Sequence, residues 1–69
     1  MNKEEKYISP KPGTLLDNKY TPFLVLVLKT YPGSDLECFF LNANLVVRTR
    51  LSEGYWSVIA EVENNKLEI

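Results

Sequence analysis

"FLVLVL", residues 23–28, places six apolar residues in succession inside a chain of only 69. Successive side chains of a strand point to opposite faces, so a strand with one wet face alternates apolar and polar residues. This run lies between Pro22 and the pair Pro32-Gly33, and it reads as a strand over 23–31 with both faces apolar. The fold turns on what covers the second of those faces.

Working outward, Pro32-Gly33 suits the centre of a turn, because proline presets φ and glycine accepts a positive φ. A strand over 36–41 follows, then a turn at Asn42-Ala43-Asn44, where asparagine tolerates the left-handed region. LVVRTRL, residues 45–51, predicts a fourth strand with Arg48 and Arg50 on one face and Val47, Thr49 and Leu51 on the other. Ser52-Glu53-Gly54 breaks it. YWSVIAEV, residues 55–62, predicts a fifth strand in which Trp56, Val58, Ala60 and Val62 share the core face, with Trp56 as its anchor. Upstream, Gly13 opens a short strand over 14–16, and DNKYTP (17–22) is a loop. Asn64-Asn65 is a turn, and KLEI (66–69) is a tail or a short edge strand. Residues 1–12, MNKEEKYISPKP, fit neither period and form an extended arm, pinned by Tyr7 and Ile8. The expectation is an all-β protein: a single small five-stranded barrel over 13–69, preceded by the arm.

If the loop joining strands 23–31 and 36–41 has two or four residues, opposed residues share a face. One face then collects Phe23, Val25, Val27, Leu36, Cys38 and Phe40, the expected core. The other collects Leu24, Leu26, Leu28, Phe39 and Leu41, interrupted by Glu37. A three-residue loop would re-pair the faces. The second set has three possible fates: burial within a strongly bent barrel or under the arm, contact with a second copy in a homodimer, or contact with another protein. With Tyr20 and Tyr55 it forms the candidate protein interface, since tyrosine is a favoured anchor in such contacts.

The chemistry of catalysis is sparse. The chain has no histidine, which removes the commonest general base and metal ligand together. One cysteine, Cys38, allows neither an internal disulfide nor a cysteine metal cluster, and it is expected to be a small buried hydrophobe. The three glycines are isolated turn residues, so no phosphate-binding loop is present. No enzyme, cofactor or metal is expected. The N-terminus lacks a signal-peptide apolar region and no apolar run reaches the ~20 residues of a membrane span, so a cytoplasmic location is expected. The formal net charge is -1, against the basic bias of nucleic-acid binders. Residues 1–50 carry seven Lys/Arg against five Asp/Glu, whereas residues 51–69 carry one Lys against four Glu.

The order of "PGTLL" (12–16), a loop, a long apolar strand, two hairpins and "LSEGYWSVI" (51–59) resembles small SH3-like barrels, over about residues 12–63. The resemblance implies a five-stranded SH3-like barrel with a short 3₁₀ turn over 52–55 before its last strand. The chain is also similar to the short single-domain proteins of bacteriophages, many of which bind host proteins. It departs from peptide-binding SH3 domains, because their acidic Tyr-rich first strand is absent and Trp56 follows the turn instead of preceding it. Binding of proline-rich peptides is therefore not carried over. Three functions remain open: a non-enzymatic protein-binding module, as in a phage protein that modulates a host protein in the host cytoplasm; a single-stranded nucleic-acid-binding barrel using Arg48 and Arg50; or a purely structural, oligomeric protein.

Overall fold

The computed structural model describes residues 6–61. Five strands form one antiparallel sheet: β1 (Thr14–Asn18), β2 (Leu24–Tyr31), β3 (Asp35–Phe40), β4 (Leu45–Thr49) and β5 (Trp56–Glu61). Their order across the sheet is β4-β3-β2-β1-β5, so the apolar strand lies at the centre and β4 and β5 are the edges. The chain is all-β, as its turn spacing predicts. No described helix is long and apolar enough to cross a membrane.

The turns form where the sequence supplies residues able to make them. Pro32–Ser34 is a single 3₁₀ turn in which Gly33 takes φ 80°, a conformation that would strain any residue carrying a Cβ. Asn44 enters the left-handed region at φ 55° to close the β3–β4 turn. Asn18 shapes the β1–β2 loop by accepting hydrogen bonds at its Oδ1 from the backbone N–H groups of Tyr20 (2.8 Å) and Thr21 (2.9 Å).

The inner face of the sheet holds Leu16, Val25, Val27, Leu36 and Cys38, all buried. The pairings Leu16↔Val25 and Val27↔Cys38 set these residues side by side. Their cover comes from outside the strands. Residues 50–55 cross from the end of β4 to the start of β5 and deliver Leu51, 4% exposed, onto the core. Ile8, Phe40 and Trp56 pack around it. The N-terminal arm holds this cover in place: Ile8 N–H donates to the Leu51 carbonyl at 2.9 Å, Glu53 N–H donates to the Lys6 carbonyl at 2.9 Å, and Tyr7 bridges to Ser52.

Several expectations are corrected. Phe23 is 39% exposed, outside the core, because β2 begins one residue later and Phe23 belongs to the loop. It still meets Phe40 edge-on, with ring centroids 5.8 Å apart. β4 ends at Thr49, so Arg50 is off the strand and Leu51 reaches the core from the crossover. On β5, Val58 is 56% exposed and Ala60 is also exposed. A bulge explains Ala60: Leu16 opposes Val58 but Leu15 opposes Ala60, so the alternation along β5 changes phase at Ile59. Trp56 is only half-buried, packed against the core and edge-on to Phe40 at 6.4 Å. Residues 52–55 form a hydrogen-bonded turn, Tyr55 N–H donating to the Ser52 carbonyl at 3.4 Å. The partner expected for Trp56 at Val62, the turn at 64–65 and the tail at 66–69 lie outside the described residues.

These placements separate two classes of apolar side chain. Leu36→Ala should cost about 2–5 kcal/mol, because it opens a cavity in a core that cannot collapse freely. Val58→Ala should cost less than about 1 kcal/mol, because most of its surface is already wet. Urea denaturation of the two variants against wild type measures both values. Equal costs would contradict the assignment of Val58 to the exterior.

Candidate protein interface

The outer face of the sheet carries the second set of apolar residues. Ladder pairing places Ala60, Leu15, Leu26, Phe39 and Val46 directly opposite one another from β5 to β4, through Leu15↔Ala60, Leu15↔Leu26, Leu26↔Phe39 and Phe39↔Val46. One apolar row therefore crosses all five strands. None of its members is buried: Leu15, Leu26 and Phe39 are partly covered by their neighbours, and Val46 is 52% exposed. Leu26 and Phe39 were recognisable from the hairpin. Leu15, Val46 and Ala60 were not, because their membership depends on the pairing of β1, β4 and β5.

The remaining candidates flank this row. Leu24 lies one outward position beyond Leu26, opposite Asp17 of β1. Its N–H donates to Asn42 Oδ1 at 2.7 Å and its carbonyl accepts from Leu41 N–H at 3.0 Å, which ties Leu41 to that end of the sheet. Leu41 is 43% exposed. Leu28 falls at a bulge, since Val27 opposes Cys38 but Lys29 opposes Glu37. The bulge resets the alternation of β2, so Lys29 and Tyr31 take the outer positions that strict alternation assigns to Leu28 and Thr30. Tyr20 and Tyr55 belong to the loops at the opposite end, beyond Asn18 and Trp56. Their rings meet edge-on at 5.4 Å and both are well exposed. Lys19 N–H donates to the Tyr55 carbonyl at 2.8 Å and holds the two loops together.

A charged row borders the apolar one at the Tyr31 end. Lys29, Glu37 and Arg48 oppose one another across β2, β3 and β4. Arg48 Nε donates to Asp35 Oδ2 at 2.9 Å, and its guanidinium lies 3.9 Å from the centroid of the Tyr31 ring. The Tyr31 hydroxyl donates to Glu37 Oε1 at 3.0 Å. Arg50 has a different neighbourhood, with its guanidinium 5.5 Å from the Tyr7 ring centroid. The two arginines are thus engaged separately, Arg48 with the outer face and Arg50 with the arm.

Cys38 faces the core between Val27 and Val47. Burial, reinforced by the adjacent Glu37 carboxylate, pushes its thiol from the ordinary 9.0 up to about 11. A thiol in that state is neither nucleophile nor ligand near neutrality. Among the described residues no group of three His, Cys, Asp or Glu side chains comes together as metal ligands do. No protein-family model, curated protein or solved structure matches this chain.

The thiol gives a test in two parts. Alkylation of Cys38 by iodoacetamide at pH 8 should be negligible in the folded protein and rapid in denaturant. The folded state also binds the thiol proton more tightly than the unfolded one, so this contribution to stability is complete below about pH 9 and is lost as pH rises towards about 11. Cys38→Ala should remove that component of the alkaline pH dependence. Fast alkylation under native conditions would mean that the sheet opens locally at β3.

Proposed function

We propose that this chain is a non-enzymatic protein-binding module that presents the outer face of its sheet to a protein partner. The supporting observation is the apolar row Ala60–Leu15–Leu26–Phe39–Val46, aligned across five strands on the face opposite the core. Contiguous apolar surface of this kind marks interaction sites in soluble proteins. The exposed Tyr20–Tyr55 pair adds amphipathic anchors at one end of the molecule. The resemblance of the sequence to small SH3-like barrels and to short phage proteins points the same way. On this reading the sheet belongs to a small barrel and its partner is a host protein, bound in the cytoplasm of the host.

A second reading, single-stranded nucleic-acid binding, draws on one cleft. Lys6, Arg50, Tyr55 and Trp56 line it together, which sets cations beside rings on which a base could stack. Glu53 lines the same cleft, and the net charge of -1 works against a phosphate track. Protein binding is the stronger reading.

Affinity capture from bacterial lysate at low and high salt separates the two. A protein partner held through the apolar face should survive a rise from about 50 to 200 mM salt, and Leu26→Glu should abolish its capture. Nucleic acid held by phosphate contacts should instead be lost steeply over that interval, in proportion to the number of phosphates engaged. Capture of nucleic acid alone, indifferent to Leu26→Glu, would overturn the protein-binding reading.

A further inference from the structure

We infer that the occupant of the outer face is a second copy of this chain, joined about a two-fold axis that runs along the apolar row. The inference rests on the reading of this face as a protein-binding surface and names its partner.

Area comes first. Five strands about 4.8 Å apart span roughly 24 Å, and five residues at about 3.3 Å each run roughly 17 Å, so the face offers on the order of 400 Å² in plan. Standard stable interfaces bury about 1,200–2,000 Å² in total, counted over both partners, and weaker ones fall below that. Two such faces supply on the order of 800 Å² in plan, which places the contact at the weak end and requires each face to be covered from end to end, with the positions on both sides of the apolar row included. The charges at those positions then decide which arrangement is possible.

On one side of the row, one outward-facing position away, stand Lys29, Glu37 and Arg48. On the other side, also one outward-facing position away, stand Leu24, Asp17 and Ser57. Two sheets packed face to face can be related by a two-fold axis lying in their common plane. An axis along the central strand β2 would set Lys29 against Lys29 of the partner subunit, a like-charge contact. An axis along the row turns one copy end for end instead. Lys29 of the partner subunit then comes level with Leu24 and beside Asp17, one strand spacing away, and the symmetry makes the same contact twice. Along the row itself Leu15, Leu26 and Phe39 meet their own equivalents, so apolar surface covers apolar surface throughout. The self-complementarity that a two-fold contact requires is thus present in both the apolar and the charged positions.

The test is the oligomeric state by sedimentation equilibrium, read with circular dichroism to establish folding. At about 100 µM, where a micromolar dissociation constant leaves mostly dimer, the wild-type chain should weigh twice its 8.0 kDa. Leu26→Glu should give a folded monomer. If Leu26→Glu fails to fold, the charge pair carries the test. Asp17→Lys and Lys29→Asp should each raise the dissociation constant about tenfold, and the double variant should recover most of the loss. A wild-type monomer at that concentration overturns the inference, as does a dimer indifferent to both Leu26→Glu and the charge reversals. If that monomer captures a bacterial protein through Leu26, the protein-binding reading stands and only its partner is another. If it captures none, both readings fall together.

Discussion

A single sheet has two faces, and the described residues outside the strands cover only one of them. That one is the inner face. The crossover from β4 to β5 brings Leu51 over Leu16, Val25, Val27, Leu36 and Cys38, and the arm ties it down through the Ile8–Leu51 and Lys6–Glu53 backbone hydrogen bonds. The first of these bonds gives a partner to the backbone carbonyl of Leu51, a residue buried in the core. Everything else about the molecule follows from this one-sided closure. The core is small, the central strand is apolar on both sides, and among the described residues the outer row has only its own neighbours for cover.

Two bulges define what the outer surface offers. At Leu28 the alternation of β2 slips by one residue, so the strand shows leucines outward in its first half and Lys29 and Tyr31 in its second. At Ile59 the slip in β5 turns Ala60 outward beside Leu15 and extends the apolar row to the edge of the sheet. Without the first bulge, Leu28 and Thr30 would take the outward positions and the ladder would lose the Lys29–Glu37–Arg48 alignment. Bulges of this kind re-aim side chains at the cost of one unpaired residue, and here they separate an apolar zone from a charged one on the same face.

The same slips mark the limit of what the sequence reveals. Strand count, turn positions and the buried set Val25, Val27, Leu36 and Cys38 are legible, because alternation and turn chemistry act within a few residues. The Leu26–Phe39 pairing rests on two offsetting departures: the β2–β3 loop has three residues, which alone would re-pair the faces, and the bulge at Leu28 shifts them back. Val58 and Ala60 are not. Their burial depends on a bulge opposite β1 and on how far the cover extends, which are tertiary matters that no local period encodes. Phe23 and Arg50 fail differently, each lying one residue past the end of a strand, where pattern ceases to constrain direction. The engagement of Arg48 with Asp35 and Tyr31 was not legible, because a three-residue turn at Asn42-Ala43-Asn44 would pair Glu37 with Thr49, whereas the loop takes in Leu41 as well and the Tyr31 contact depends on the β2–β3 register.

The cross-strand order of the outer face bears on stability as well as on binding. The Arg48–Asp35 pair is solvent-exposed on the arginine side and contributes at most about 1 kcal/mol, so charge does not make up for the thin core. No disulfide is possible with a single cysteine. A domain of this size buries a smaller fraction of its surface than a larger one, and hydrophobic contact is the principal resource left to it. The apolar row is the largest such resource on the outer face, and it stays partly wet in the single chain. Covering that row adds stability in proportion to the area removed from water, at roughly 25 cal/mol per Å² before the entropy of association is subtracted. A partner seated on this row would therefore couple binding to folding through one surface, since it would also hold the sheet together.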